Sequence, residues 1–402
     1  MTTLKVSKTL TIEDIDDLYQ KLAKWEGKID LYLPNSITSW DFGISTLLIQ
    51  FVNSWIRSGK QGLLVLDALK HNLHDEDVSI DIPDHIFPSI IMCWDKGIVD
   101  SKRNDLKSVL RPYNEVIIKS MQSLDTTPIF KPKLIKQKGF KSLLTCFDHL
   151  PPDKGLLQCF YINNQFISNE ETLLDTLEET FDYIISYSSK TKQAFHKVKV
   201  ELAGIIYELM ANTHQWGRTD PNSQFLNPNI RGILLKFVKK KRTSFVDNYV
   251  EHEGLRDYFL SFKGSGALEE LHFIEISVFD SGAGFVDKYH GSENPDMPIN
   301  DQVITIKDCL IEHNTSDKTI NRETKGKGLN RIMRILDKKG FFLIRTSNCF
   351  VFRNMKDHPH LETDDNKDIQ LFDYKTCSSD DFSFYPKCSG SNVTIVYPVI
   401  EE

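Results

Sequence analysis

The sequence predicts two consecutive domains, an α/β unit and then an α+β unit, on three observations. The chain has 402 residues, 40% of them hydrophobic, which is enough for more than one core. Its first hundred residues read as strand, helix and strand, the pattern of a parallel crossover unit. Its second half alternates helical and strand periods, with glycines clustered at turns between them.

Taken in order, the first strand runs from Asp30 to Leu33 and its partner from Leu63 to Leu66. The helix between them repeats Ile44, Leu47, Leu48, Phe51, Val52, Trp55 and Ile56 at helical spacing, and Ser58-Gly59-Lys60 supplies its stop. One broad face of this helix is expected to be buried against a sheet. Ser39 reads as its N-cap and Ser45 as a first-turn residue. From about residue 100 to 150 the chain turns basic and proline-containing without a clean period. The expected boundaries are therefore 1–105, a connecting region at 106–160, and 161–402.

In the second domain, residues 198–217 form a helix with Val200, Ala203, Ile206, Tyr207, Met210 and Ala211 on its inner face. Glu208 and Asn212, four residues apart, share one stripe beside that face. Strands follow at Ile230 to Phe237 and Phe273 to Phe279, the second ending at Asp280 before Gly282 and Gly284. Gly326 and Gly328 precede a helix that turns Ile332, Ile335 and Leu336 inward, a geometry that aims backbone amides at phosphate. A last strand contains Gly390-Ser391. Residues 244–270 read as an insertion, either a recognition element or an elaborated loop.

Composition limits the function classes. The net charge of -7 argues against a surface built for nucleic acid. The basic run KFVKKKR at 236–242 has no interleaved aromatics and reads as solvated charge. The seven cysteines are scattered without CxxC spacing, which points to reduced thiols rather than disulfides or zinc. His71, His74, His358 and His360 lack further ligands at useful spacing, and His196 reads as ordinary surface. No apolar signal core or membrane-length apolar run occurs, so a cytoplasmic protein is expected.

Glu208-Leu-Met-Ala-Asn212, Asp280-Ser-Gly-Ala-Gly-Phe285, Lys325-Gly-Lys-Gly-Leu329 and Gly390-Ser391 occur in that order. In their order they resemble the N box, the two glycine boxes and the final Gly-Thr element of the GHKL ATPases. The resemblance covers roughly residues 195–398, with Thr315-Ser316 and Gly340 matching further, and implies a Bergerat-type α/β sandwich that binds Mg-ATP. It implies that Asp280 accepts the adenine amine, that Asn212 ligates magnesium, and that Glu208 orients or deprotonates the attacking group. Gly282 and Gly284 would then admit the base, and residues 286–324 would form a lid. Lys325, Gly326, Lys327, Gly328 and Leu329 would hold phosphates, and Ser391 stands for the family's Thr beside the adenine carboxylate. Trp216 departs from the His or Lys that many members carry four residues after the Asn.

The amino-terminal unit, with Asp30-Leu-Tyr-Leu-Pro and Ser39-Trp-Asp-Phe-Gly43, is similar to STAS-like domains. The two resemblances together imply an ATP-dependent regulatory switch in which lid closure alters how the amino-terminal module meets a protein partner. They leave open a serine kinase of anti-sigma type, with Ser39 and Ser45 as first acceptors, and a scaffold that holds ATP without turnover. They also leave a homodimer open.

Overall fold

The computed structural model describes residues 2–34, 36–66, 89–90, 97–108, 110–111, 141–185, 189–311 and 328–400. Four strands, β1 (Thr3–Lys5), β2 (Ile29–Leu33), β3 (Gln61–Leu66) and β4 (Ile98–Asp100), pair in that order, all in parallel. Helix α1 (Ile12–Lys24) joins β1 to β2 and starts on a reciprocal cap. The Thr11 hydroxyl accepts from Asp14 N–H at 3.2 Å and the Asp14 carboxylate accepts from Thr11 N–H at 3.0 Å. The expected crossover unit is β2, helix α2 (Ile44–Arg57) and β3.

Helix α2 departs from expectation twice. Its N-cap is Gly43, in left-handed backbone at φ 77°, whereas the Ser39 hydroxyl accepts from Asp41 N–H at 3.2 Å in the preceding turn. A side chain at Gly43 would also collide with Thr394, since its Cβ would lie 2.5 Å from that hydroxyl. Second, α2 is buried nearly all round: Thr46, Gln50, Asn53 and Ser54 are as enclosed as Leu48, Phe51 and Trp55. The reason is that a second sheet covers the side the sequence assigns to water.

That second sheet has seven strands, in the order β12-β11-β10-β13-β9-β8-β5, all antiparallel. They are β5 (Lys141–Phe147), β8 (Ile230–Lys241), β9 (Glu270–Asp280), β10 (Phe341–Ser347), β11 (Cys349–Asn354), β12 (Phe372–Asp373) and β13 (Cys388–Pro398). The segment read as a connecting region thus supplies an edge strand, β5. A small hairpin, β6 (Tyr161–Ile162) and β7 (Gln165–Phe166), turns through Asn163-Asn164, both at positive φ.

Helices complete the layers. After the single turn α3 (Pro152–Gly155) come α4 (Glu170–Ile184) and α5 (Ser189–Trp216), which pack with α10 (Gly328–Leu336) on one face of the large sheet. Side chains alternate along β9, so Ile274, Ile276, Val278 and Asp280 turn to that face, while Glu275 and Ser277 turn to α2. The insertion folds as α6 (Arg242–Asn248) and α7 (Glu253–Leu260) on the α2 side. There Phe42 from the amino-terminal unit stacks on Phe245 and Phe259, which Phe273 meets edge-on. The basic run is largely neutralised within the fold, with Lys236 on Glu275 at 3.1 Å, Lys239 on Glu270 at 2.8 Å and Lys240 over the Trp40 ring at 3.7 Å. Among the described residues all cysteines are free thiols, and no helix is long and apolar enough to cross a membrane.

Candidate functional site

Helix α5 delivers Glu208 and Asn212. Its inner stripe is Leu202, Ile206, Leu209, Met210 and Thr213, all buried, while Val200, expected inside, is 58% exposed. Val200 lies more than a quarter turn away from that stripe, which is the face the sheet covers. Both Glu208 and Asn212 are half-buried. The helix stops at Gly217, whose backbone lies against Asp280: a Cβ there would be 2.6 Å from the Asp280 Cβ.

Asp280 ends β9 opposite Arg231 of β8 and is 8% exposed. Its carboxylate accepts from Gly282 N–H at 2.8 Å and from the backbone of Ser391. Burial pushes the carboxyl up to about 6, opposed by those two donors and by the guanidiniums of Arg57 and Arg231. The glycines that follow it are pinned rather than loose. Gly284 lies at φ 82° and starts helix α8 (Gly284–His290), and a Cβ on it would be 2.8 Å from Thr346 Oγ1. Gly390, at φ 72°, is in direct contact with the Asp280 carbonyl. Glycine is needed here for close approach, not for mobility.

Ser391, buried in β13, shares a hydrogen bond of 3.2 Å with Thr346, and Thr346 Oγ1 accepts from Phe285 N–H at 3.1 Å. Over its described residues the expected lid, 286–324, is the end of α8, a non-helical connection at 291–298 and α9 (Ile299–Leu310), with α8 packed on α9. His290 bonds Thr305 at 3.0 Å between them. The remainder, 312–324, lies outside the described residues, as do Thr315, Ser316, Lys325, Gly326 and Lys327.

Gly328 and Leu329 open α10 directly against α5, where a Cβ on Gly328 would be 2.7 Å from the Glu208 carboxylate. Glu208 itself is engaged: Arg331 of α10 donates to it at 3.1 Å and to Glu170 at 2.6 Å. Asn212 makes no side-chain hydrogen bond among the described residues, so its amide oxygen is available to a ligand. Among the described residues no three acidic, His or Cys side chains cluster to hold a metal by themselves.

Four distant stretches thus meet: Glu208 to Gly217, Asp280 to Gly284, Gly328 with Leu329, and Gly390 with Ser391. Sequence reasoning missed Arg331, Thr346, Arg231 and Arg57. Arg331 had a signal, a cation one turn after Gly328 on a short amphipathic helix. Arg57 had none, because its partner Ser281 is more than two hundred residues away. On the far side of the 281–283 turn lies a cavity of about 540 Å³ lined by Ser54, Arg57, Gly282, Ala283, Lys387 and Ser389 among others. No family model, curated protein or solved structure matches the chain.

Proposed function

We propose that this protein binds Mg-ATP in a GHKL-type, Bergerat-like site and works as an ATP-dependent switch, with a STAS-like unit at its amino terminus. The observation that carries the reading is Asp280, a buried carboxylate at a strand end, held by backbone donors from Gly282 and Ser391 and packed against Gly217 at the end of the helix that carries Glu208 and Asn212. A buried carboxylate of this kind accepts a purine amine and disfavours bases lacking one. Asn212, half-buried and without a side-chain partner among the described residues, suits the magnesium ion, and Gly328 with Leu329, Lys325, Gly326 and Lys327 would hold the phosphates.

Glu208 is the base of this reading, and its pairing with Arg331 makes turnover conditional on that ion pair opening. The same pair favours a second reading, ATP binding without turnover. Incubation of the full chain with γ-labelled ATP and magnesium distinguishes them. Free labelled phosphate supports hydrolysis, intact bound ATP supports the binding-only reading, and label on protein supports the serine kinase alternative. A chain that leaves purine triphosphates unbound in a calorimeter removes all three.

A further inference from the structure

Three residues of α2, spaced at i, i+4 and i+7, reach the chain on both sides of Asp280. Gln50 donates to the Gly390 carbonyl at 3.4 Å and to the Arg345 carbonyl at 3.3 Å. Ser54 Oγ accepts from Ser389 N–H at 2.8 Å, and donates to the Gln50 carbonyl at 2.9 Å. Arg57 donates to the Ser281 hydroxyl at 3.3 Å and to the Pro228 carbonyl at 3.0 Å. Ser281 in turn accepts from Ile230 N–H at 3.0 Å, which ties the turn to the start of β8. The stripe continues to Gly43, whose N–H donates to Glu275 at 2.8 Å.

The two backbone donors of Asp280 come from Gly282 and Ser391. Each lies within two residues of a point that α2 grips. An acceptor aimed at one ligand amine depends on such donors being fixed to a fraction of an ångström. We infer that α2 backs the purine site from the opposite face of the large sheet, with Gln50, Ser54 and Arg57 as positioning residues that hold the two backbone segments orienting Asp280. This deepens the proposed nucleotide reading and rests on it for the ligand. It makes the amino-terminal unit belong to the site, so that any partner moving α2 moves the carboxylate.

Purine discrimination tests this, because ITP carries a carbonyl oxygen where ATP carries the amine. In the full chain, Ser54→Ala and Arg57→Ala are expected to lower ATP affinity and the ATP-to-ITP preference by roughly three- to thirtyfold, and Arg57→Lys to restore most of it. Leu48→Ala, on the side of α2 away from the large sheet, is expected to lower the melting temperature and leave the preference unchanged. Folded Ser54 and Arg57 variants with the wild-type preference, or an equal loss in Leu48→Ala, overturn the inference.

A second readout needs no nucleotide. The groups facing Asp280 among the described residues are Arg57 from α2, Arg231 from β8 and Cys388 from β13. The pH at which the melting difference between wild type and Asp280→Asn levels off, and the size of that difference, are expected to rise in the Arg57→Ala background and return in Arg57→Lys. If they do and wild type binds neither nucleotide, the proposed function fails and the positioning stands. If they stay put while wild type still prefers ATP, the positioning alone fails.

Discussion

Replacing Asp280 by Asn separates the cost of burying a charge from its use. Burial moves this carboxyl from its ordinary 3.8 to about 6, which at about 1.36 kcal/mol per pH unit corresponds to roughly 3 kcal/mol. Because the folded value is raised, the protonated form is the stabilising one. Its contribution is complete below 3.8 and is lost as pH rises through about 6. The Asp280→Asn variant keeps an amide oxygen for the Gly282 and Ser391 donors and has no charge to desolvate. Thermal unfolding without nucleotide should therefore give equal melting near pH 4 and a higher melting temperature for the variant near pH 7.5, the gap opening between. With ATP present at about a hundred times its dissociation constant, wild type alone should gain, by about 2.7 kcal/mol. A melting difference constant from pH 4 to pH 8 would show that the carboxyl is not raised by burial. A variant that binds ATP as tightly as wild type would remove the adenine assignment.

Arg331→Ala should free Glu208, raising basal phosphate release severalfold while costing under about 1 kcal/mol of stability, because Arg331 is 41% exposed. Adding Glu208→Ala should abolish that release, as phosphate assays can read. Arg345 is buried in a ring cage of Tyr19, Phe350 and Tyr385 and bonds Asp16 at 3.1 Å. Arg345→Ala should cost about 3–5 kcal/mol, and Arg345→Met combined with Asp16→Leu should recover much of it in chemical denaturation. Gly390→Val should lower the melting temperature sharply, since it forces a branched side chain at φ 72° into the Asp280 carbonyl.

The ends of the elements were the most legible feature. Asp280 closes β9 and Gly328 opens α10, as the switch from apolar strand to glycine turn to amphipathic helix indicates. The crossover of β2, α2 and β3 was legible for the same reason. What sequence could not carry was the second neighbour of α2. Gln50, Asn53 and Ser54 look like a solvent face because periodicity separates polar from apolar, not water from a polar backbone edge. Strand β5 was missed, because its short apolar run sits in a stretch that reads as a basic connecting region, and its pairing with β8 depends on register across some ninety residues, which local pattern does not contain. At the site, Gly282 and Gly284 were read as room for a base, and sequence could not show that Gly284 lies against Thr346 and Gly390 against the Asp280 carbonyl. Sequence names the residue type and leaves its purpose to packing.

A chain reduced to the four motif stretches and their sheet follows from the domain boundaries, and the packing argues against its folding alone. Starting at residue 141 would keep every strand from β5 to β13 but remove α1 and α2. Glu275, buried at 1% exposure, would keep its Lys236 partner and lose the Gly43 N–H. Arg345, at 2% exposure, would lose Asp16 and Tyr19. The Phe245, Phe259 and Phe273 cluster would lose Phe42 and open to water. An apolar patch of that kind beside newly exposed strands favours association over folding. The 141–402 chain is expected to aggregate, and co-expression with residues 1–111 to rescue it into a soluble complex. A monomeric 141–402 chain that melts cooperatively and binds ATP like the full chain would return α2 to the role of a tethered module.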